Sequence, residues 1–512
     1  MSLLPFLFVT LGGAAAAWFV RGRARVSAVT GVVILLGAIV TAMAIQPGQT
    51  LVMGGSGLVT TDYQRLFLVL ASVMAGLLAL VAAIAGGRRD LAPVSAAVLG
   101  TAGLALALPD PATAVVAATI GGAAGALLAV VPVGARLGAT VGMRVLRAAA
   151  IAGTMGIAAC AWIGRDLSEL AAQPVVFGLA YLAMALAVAL RFGAIQFHTW
   201  TARLAETVAE TSLPLVMAIG PAAFAVVALA WADASIAPLL VDLDSARAVV
   251  IAIALASILL APLAAWIQED VEPVVGYAIV GDAGVVLLAM AALDPAAWEP
   301  GRIWILALIA TRSAFAAWAG ALRFDQRTGR IEDLRGWAFR SPLLGISLAV
   351  VALASIGLPG LAVFDARSSL ISLALDGPLA TIAFLGALLP VAYYVRLLVL
   401  GVERADASGE APSRRPVLRP FDRDDPIGWA RATWDLNRRS TGAVTALVAA
   451  VLALAVSAGA LGGTTAAAGS PPTLQTPVES FVPEGPSEPD AVPDGSPTGE
   501  PDTGGSSGEP GD

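Results

Sequence analysis

The chain has 512 residues, of which 58% are hydrophobic and only 13% are charged, and its formal net charge is −7. This balance is far more apolar than a soluble globular protein can carry on its surface, so it indicates a protein of the lipid bilayer. The single cysteine, Cys160, excludes a disulfide framework and a cysteine-based metal or redox centre.

The sequence also lacks the patterns of a catalytic or cofactor site. It contains no glycine-rich phosphate loop after a strand, no metal-ligand spacing and no nucleophile with a base in reach. We therefore predict no cofactor, no metal and no nucleic-acid partner, and we expect any redox chemistry to belong to another subunit.

Apolar runs of roughly 18 to 25 residues, the length that crosses the hydrocarbon core as a helix, recur along the chain. They predict an all-α polytopic membrane protein with about fourteen transmembrane helices. In chain order, spans 1 to 14 cover residues 3–20, 26–46, 65–86, 91–107, 112–133, 144–163, 174–196, 211–231, 246–267, 273–293, 302–321, 342–363, 375–400 and 441–461.

The arginines predict the orientation of these spans. All 30 basic residues are arginine, and they crowd the loops after spans 1, 3, 5, 11 and 13, whereas the loops at the opposite end are nearly free of them. Cytoplasmic loops collect basic residues. We therefore predict a bacterial inner-membrane protein with both termini on the non-cytoplasmic side.

The segments around the last span have a different composition. Residues 401–440 are rich in arginine and predict a cytoplasmic loop before span 14, which covers 441–461. Residues 462–512 are mainly Pro, Gly, Ser, Thr, Glu and Asp and include no basic residue. This composition predicts a disordered, acidic, exported tail that carries much of the net charge.

Four short motifs occur in order along the spans. The first runs from Arg191 to Trp200, with Arg191 and His198 seven positions apart, which in an unbroken helix places them on one face of span 7. The others are Gln268-Glu-Asp-Val-Glu-Pro-Val-Val-Gly-Tyr277 followed by Gly281-Asp282-Ala283-Gly284, then Gly357-Leu358-Pro359 with Phe364 and Arg367 beyond it, and then Tyr393-Tyr394-Val395-Arg396.

These motifs resemble those of the antiporter-like, proton-conducting membrane subunits of NADH-quinone oxidoreductase (complex I), most of all subunit N, and of the Mrp-type cation/proton antiporters. The resemblance extends from about residue 62 to residue 396. The second motif is similar to the stretch Gln-x-Asp-x-Lys-Arg-x-x-Ala-Tyr-Ser-Ser-Ile-x-His-x-Gly of that family, with Asp282 in the place of the histidine.

The resemblance implies a specific domain organisation. Spans 1–3 would occupy residues 1–90, and two inverted five-helix repeats would occupy residues 91–231 and 246–400. Spans 7 and 12 would be broken helices, and Arg191 and Arg367 would be pseudo-symmetric, each beside one break. The implied partners are the lipid bilayer, protons or small ions, and other membrane subunits of a respiratory or antiporter complex.

The chain departs from the family at the residues that carry the proton path. The family uses a glutamate in helix 5 and lysines in helices 7, 8 and 12, but span 5 has no acid and Pro221 stands where the helix-8 lysine is expected. The other two lysine positions hold Arg191 and Arg367. Arginine keeps its proton at physiological pH, so a relay of lysines is in doubt here.

We predict an ion path formed by Arg191, His198, Asp282, Arg312 and Arg367, with His198 and Asp282 as the groups that exchange protons. Four of these assignments have a structural alternative. Arg191 could extend from the helix end towards water, His198 could pack beside Trp200, and Asp282 with Arg312 could be a purely structural ion pair.

Four further residues are weaker candidates. Glu206 and Glu210 are four positions apart and follow Arg203, a spacing that also fits a solvated turn of helix, which is the interpretation we favour. Asp365 could be the counter-ion of Arg367 or could face the exported water. Arg396 belongs to the fourth motif.

Three functions are compatible with these observations. The first is a membrane subunit of a complex I-like oxidoreductase that contributes to proton translocation without being a catalyst itself. The second is an Mrp-type ion/proton antiporter subunit. The third is a degenerate relative that scaffolds a complex without conducting, which the missing acid of span 5 and the missing lysine of span 8 would explain.

Overall fold

The computed structural model describes residues 1–20, 22–53, 56–85, 91–130, 136–163, 174–235, 243–403 and 426–460. Residues Met1–Thr476 form one compact unit. The predicted tail, 462–512, lies outside the described residues, as does most of the predicted loop at 401–440.

The described residues are almost entirely helical. In the first half, the α-helices are α1 (Leu4–Leu7), α2 (Gly13–Val20), α3 (Ala24–Met43), α4 (Asp62–Ile84), α5 (Leu91–Ala107), α6 (Pro111–Val130), α7 (Arg136–Ile163), α8 (Pro174–Phe192), α9 (Thr199–Thr207) and α10 (Gly220–Ser235). In the second half, they are α11 (Asp244–Trp266), α12 (Val271–Ala292), α13 (Trp298–Gln326), α14 (Trp337–Arg340), α15 (Pro342–Ile356), α16 (Ala362–Ala374), α17 (Gly377–Leu388), α18 (Pro390–Val402) and α19 (Pro426–Ser457).

Short helical turns of other types join these helices. Two segments are π-helical, Phe8–Gly12 and Leu215–Ile219. Within the described ranges, the 3₁₀-helical segments are Ile195–Phe197, Glu210–Ser212, Pro295–Ala297 and Ile331–Leu334.

Each predicted span overlaps one apolar helical segment of the structure. In the described residues, ten of these segments are long and apolar enough to cross a bilayer, and four are shorter, namely Leu4–Val20, Val29–Met43, Leu91–Ala107 and Pro342–Ile356. The all-α polytopic class is therefore confirmed. The count of fourteen crossings and the two inverted repeats stay predictions. The largest differences in boundary are at α7, which begins at residue 136 and not 144, and at α13, which exceeds span 11 at both ends.

One small β-hairpin interrupts the helical pattern. The strands Thr50–Met53 and Ser56–Val59 pair antiparallel between α3 and α4, with Leu51 opposite Leu58. Sequence analysis did not predict this hairpin. The segment is short and lies between two apolar spans, a position that is typical of a connecting loop.

Helix α13 lies in the interior of the bundle. It has 29 residues, and all those from Gly301 to Leu322 are buried. It packs against α4, α12, α15, α16 and α19. Three arginines are spaced along this helix. Arg302 and Arg323 lie near its two ends, and Arg312 lies near its middle.

The predicted break in span 7 is present, and Gly193 forms it. The amide of Gly193 donates to Leu190 O at 3.2 Å and the amide of Ala194 donates to Ala189 O at 2.8 Å, which is the Schellman arrangement that ends an α-helix. Gly193 has φ +65°, and a Cβ there would lie 2.1 Å from Thr201 Cγ2. Glycine is therefore required, and after the 3₁₀ turn Ile195–Phe197 the next α-helix begins at Thr199.

The predicted break in span 12 is also present. Helix α15 ends at Gly357, with φ +66°, and α16 begins at Ala362 after a turn that contains Leu358 and Pro359. Broken helices leave backbone groups without intrahelical partners, and in a membrane such groups are tolerated only inside protein or beside a cavity. The two breaks are therefore the places where polar side chains are expected.

Candidate functional site

The most extensive buried polar network lies around Asp282 in the middle of α12. Arg312 of α13 donates to its carboxylate twice, from Nε to Oδ2 at 2.5 Å and from Nη2 to Oδ1 at 2.7 Å. Nη1 of Arg312 donates to the hydroxyl groups of Tyr393 at 3.3 Å and Tyr394 at 3.0 Å. Tyr394 in turn donates to Ser355 Oγ at 3.0 Å. Ser355 is two residues before Gly357, where the second helix break begins. The predicted pairing of Asp282 with Arg312 is thus present.

Arg367 of α16 joins the same region without touching Asp282 directly. Its Nη1 donates to Ala387 O at 3.3 Å, and its guanidinium lies 6.0 Å from the ring centre of Trp304. Asp282, Arg367, Ser355 and Tyr393 all line one internal cavity of about 20 Å³. A water molecule needs about 10–15 Å³ of such space and two or more polar partners, so the cavity can hold one water between these groups.

Arg191 is buried and has no acidic partner among the residues that the structure describes. It is 2% exposed, which excludes the alternative that it extends to water from the end of the helix. Its Nε and Nη2 atoms form no hydrogen bond within the described part of the chain. The guanidinium lies against two glycines, because a Cβ on Gly122 of α6 would be 2.3 Å from Nη1 and a Cβ on Gly220 of α10 would be 3.6 Å from Nη2.

His198 lies at the first helix break and not on the face of α8. The prediction that it shares a helix face with Arg191 is wrong, because Gly193 ends the helix between the two residues. The side chain is half-buried, Nδ1 contacts Ile195 O, and the ring lies 6.3 Å from that of Tyr277 on α12.

The two glutamates after Arg203 occupy different environments. Glu206 is half-exposed and pairs with Arg203 at 2.8 Å, in keeping with the solvated turn that we favoured. Glu210 does not continue that turn, because α9 ends at Thr207 and Glu210 begins a separate 3₁₀ turn. Its side chain is 4% exposed and pairs with Arg323 at 3.1 Å.

Arg323 and a second glutamate beside it, Glu272, were not singled out from the sequence. Arg323 also donates to Glu272 Oε1 at 2.5 Å, so one guanidinium serves two carboxylates. Glu272 stands where the resembling family stretch has a lysine. That reversal of charge is the sequence signal that could have identified it.

The Glu210–Glu272–Arg323 cluster lines a large cavity. The cavity measures about 790 Å³. Its other charged lining residues are Glu206, Asp270 and Arg327. It lies where α9, α12 and α13 meet, at the end of the bundle whose loops carry the arginines.

The remaining weaker candidates, Asp365 and Arg396, lie away from the cavity beside Asp282. Asp365 is exposed, and among the described residues no ion pair joins it to Arg367. Arg396 donates to the carbonyl groups of Trp266 and of Gln268, the latter at 2.9 Å, and so it caps the end of α11. Neither residue lines the cavity beside Asp282.

Helix α12 connects these separate clusters. Glu272, Tyr277 and Asp282 are five residues apart, so successive members are about 7.5 Å apart along the helix axis. Glu272 contacts the large cavity, Tyr277 lies beside His198, and Asp282 pairs with Arg312.

Arg302 was also not singled out from the sequence. It lies near the opposite end of α13, with its guanidinium 4.2 Å from the ring centre of Trp298 and 4.9 Å from that of Tyr63. No group of three metal-ligating side chains is found among the described residues.

Comparison with known proteins gives matches in sequence. Residues 150–391 match the family described as NADH:quinone oxidoreductase/Mrp antiporter, transmembrane. The chain is 31% identical over 163 residues to NADH-quinone oxidoreductase subunit N of Geobacter metallireducens and 30% identical over 179 residues to subunit N 1 of Streptomyces griseus. These alignments cover 30% and 33% of this chain, and 34% of each relative, so the chain matches about a third of the length of these curated relatives.

The fold extends the likeness over nearly the whole chain. A chain of the Mrp complex from a Dietzia species superposes with a TM-score of 0.70 at 18% identity, covering 93% of this chain and 99% of that one. A chain of respiratory complex I from Thermus thermophilus superposes with a TM-score of 0.65 at 17% identity, covering 91% and 100%. Residues 150–391, slightly less than half of the chain, therefore match the NADH:quinone oxidoreductase/Mrp antiporter transmembrane family, and the chain has the fold of these membrane subunits.

Proposed function

We propose that this chain is a proton-conducting membrane subunit of a complex I-like NADH-quinone oxidoreductase. The observation that carries the proposal is the buried network in which Asp282, held by Arg312, faces an internal cavity together with Arg367. A charged side chain inside a membrane is costly and usually marks an ion or proton pathway. The names of the matched relatives, which are subunits of NADH-quinone oxidoreductase, support the same class.

In the proposed path, the arginines hold fixed positive charge and two other groups exchange protons. Arg191, Arg312 and Arg367 keep their protons and orient water by donating hydrogen bonds. His198 and Asp282 would bind and release protons, with Tyr277 of α12 between them along the chain. The small cavity beside Asp282 has room for the water that would connect it to Arg367.

The proposal includes an orientation and an assembly. Both termini would be on the non-cytoplasmic side of a bacterial inner membrane, because the arginine-rich loops would face the cytoplasm. Residues 91–231 and 246–400 would form the two inverted repeats after the first three spans in 1–90. The chain would work with other membrane subunits, and a soluble partner would supply the redox reaction.

The test combines purification with reconstitution. The tagged chain is purified from its host in mild detergent, the copurifying subunits are identified, and the assembly is placed in proteoliposomes that contain a pH-sensitive dye. We expect redox subunits to copurify and NADH or reduced ferredoxin to drive proton movement. Recovery of small antiporter-type subunits alone, with ion-dependent proton exchange, would instead identify an Mrp-type transporter.

A charge-balanced variant separates a proton relay from a structural ion pair. Asp282→Asn combined with Arg312→Gln removes both charges and leaves no unpaired ion in the interior. We expect the double variant to assemble but to lose proton flux, whereas Asp365→Asn, which changes an exposed acid two residues from Arg367, should keep it. Unchanged proton flux in the double variant would show that Asp282 and Arg312 form only a structural ion pair. If neutralising Arg191 and Arg367 also left flux unchanged, the chain would be a non-conducting scaffold.

A further inference from the structure

A second acidic site lies apart from Asp282, at the large cavity. Glu210 of the 3₁₀ turn and Glu272 of α12 both accept a hydrogen bond from Nη1 of Arg323, at 3.1 Å and 2.5 Å. Because both carboxylates contact the same guanidinium nitrogen, the two carboxyl groups lie close to each other. Two carboxylates and one guanidinium leave one excess negative charge if both acids are ionised.

The two carboxyl groups that carry this excess charge are poorly solvated. The side chains of Glu210 and Glu272 are 4% and 12% exposed, whereas that of Arg323 is 51% exposed. Two like charges in one poorly solvated site repel, and a pair of carboxyl groups that shares one proton removes the repulsion. Arg323 reaches water through the cavity, so a proton could enter and leave the pair there.

Two buried polar atoms at the same cavity lack a hydrogen-bond partner among the described residues, which points to a bound group. Glu272 Oε2 is buried and has no hydrogen-bond partner in the described part of the chain. Ser212 lines the same cavity, is fully buried, and its hydroxyl likewise has no partner there. Buried polar atoms are rarely left unpaired, because each costs about 1–3 kcal/mol.

We propose that Glu210 and Glu272 form a carboxyl pair that holds one exchangeable proton at the floor of the 790 Å³ cavity. The charged groups that face the pair are Arg323 from α13 and, around the same cavity, Glu206, Asp270 and Arg327. Glu206, Asp270 and Arg327 together carry a net charge of −1, and this excess negative charge favours a cation in the cavity. The site takes a proton from water and returns it, with no other bond made or broken.

This inference deepens the proposed function and rests on it in one respect, since the pair would pass its proton towards His198 and Asp282 along α12. The existence of the shared proton is a separate matter that does not require flux. The shared proton is detected by infrared difference spectroscopy on the purified full-length chain. The signal is the C=O stretching band that only a protonated carboxyl group gives. Failure here would therefore leave the proton path through Asp282 standing, and loss of flux would not by itself remove the pair.

The expected spectrum has a pH-dependent carboxyl band in the unaltered protein near neutral pH. Glu272→Gln and Glu210→Gln should each abolish it, because the remaining glutamate then pairs with Arg323 and stays ionised. Glu206→Gln is the matched control, since Glu206 lines the same cavity but pairs with Arg203, and it should leave the band unchanged. A band that persists in both pair variants, or that sodium ions remove at constant pH, would overturn the proposal, the second by assigning the site to a metal cation.

Gly329→Ala provides a variant that keeps both charges. A Cβ at this position would lie 3.0 Å from each carboxylate oxygen of Glu272, so the carboxylate must move. We expect the carboxyl band to remain and its midpoint pH to shift. A midpoint identical to that of the unaltered protein would contradict the placement of the proton on Glu272. Thermal unfolding of each variant in detergent checks that the fold is kept.

Discussion

Arg312 holds Asp282 through two hydrogen bonds, from Nε at 2.5 Å and from Nη2 at 2.7 Å, in the middle of two adjacent helices. The side chain of Arg312 is 1% exposed and that of Asp282 is 10% exposed. Tyr393 and Tyr394 accept hydrogen bonds from the remaining nitrogen of the guanidinium. The charge of Arg312 is thus balanced, and its position is fixed by three side chains.

The first prediction concerns the stability of this pair. Asp282→Asn alone should lower the free energy of unfolding by about 3–5 kcal/mol, because it leaves a buried guanidinium without its anion. Asp282→Asn with Arg312→Gln should be less destabilised than either single variant. The measurement is unfolding in mixed detergent micelles, and a double variant that loses the sum of the two single effects would contradict the coupling.

The second prediction concerns the close approach of Arg191 to α6. Gly122→Ala should displace the guanidinium, because the added Cβ would lie 2.3 Å from Nη1, and such overpacking typically costs about 1–3 kcal/mol. Gly125→Ala, one turn further on, is the control, since its Cβ would meet Val216 Cγ2 at an ordinary 3.5 Å. Equal melting temperatures for the two variants would show that Arg191 has room to move.

Motifs predicted the parts of the site that lie within single segments. The sequence places Asp282 and Arg312 in the middle of two neighbouring spans, and a buried charge needs a partner, so their pairing could be predicted. The breaks at Gly193 and Gly357 could also be expected from the resemblance. The face shared by Arg191 and His198 could not, because the helical period applies only to an unbroken helix.

The second cluster could not be predicted because its members come from three distant segments. Glu210, Glu272 and Arg323 each lie near the end of a span, where charged residues are common and usually solvated. Only the packing of α12 and α13 against the turn at Glu210 removes the two glutamates from water and joins them to Arg323. Arg302 was missed for a similar reason, since it stands at the first position of predicted span 11.

The third prediction concerns Arg396, which we expect to be structural. Its guanidinium donates to the carbonyl groups of Trp266 and Gln268 at the end of α11, and a hydrogen bond to a charged group is worth about 1.5–3 kcal/mol. Arg396→Ala should therefore lower the unfolding temperature without changing which ion drives or inhibits flux. Arg335→Ala removes an exposed ion pair of 3.8 Å to Glu403 and should have little effect. A change of ion dependence in Arg396→Ala would return this residue to the path.

The fourth prediction concerns His198, the only histidine in the chain. Imidazole is a common proton carrier in proteins, and that of His198 stands at the first helix break beside Tyr277. His198→Ala should abolish proton flux by the reconstituted assembly while leaving its subunit composition unchanged. Gln196→Ala, at an exposed position in the same turn, should retain flux. If His198→Ala conducts as well as the unaltered protein, protons pass from the large cavity to Asp282 without a carrier at the break, and the path must run along α12 through water alone.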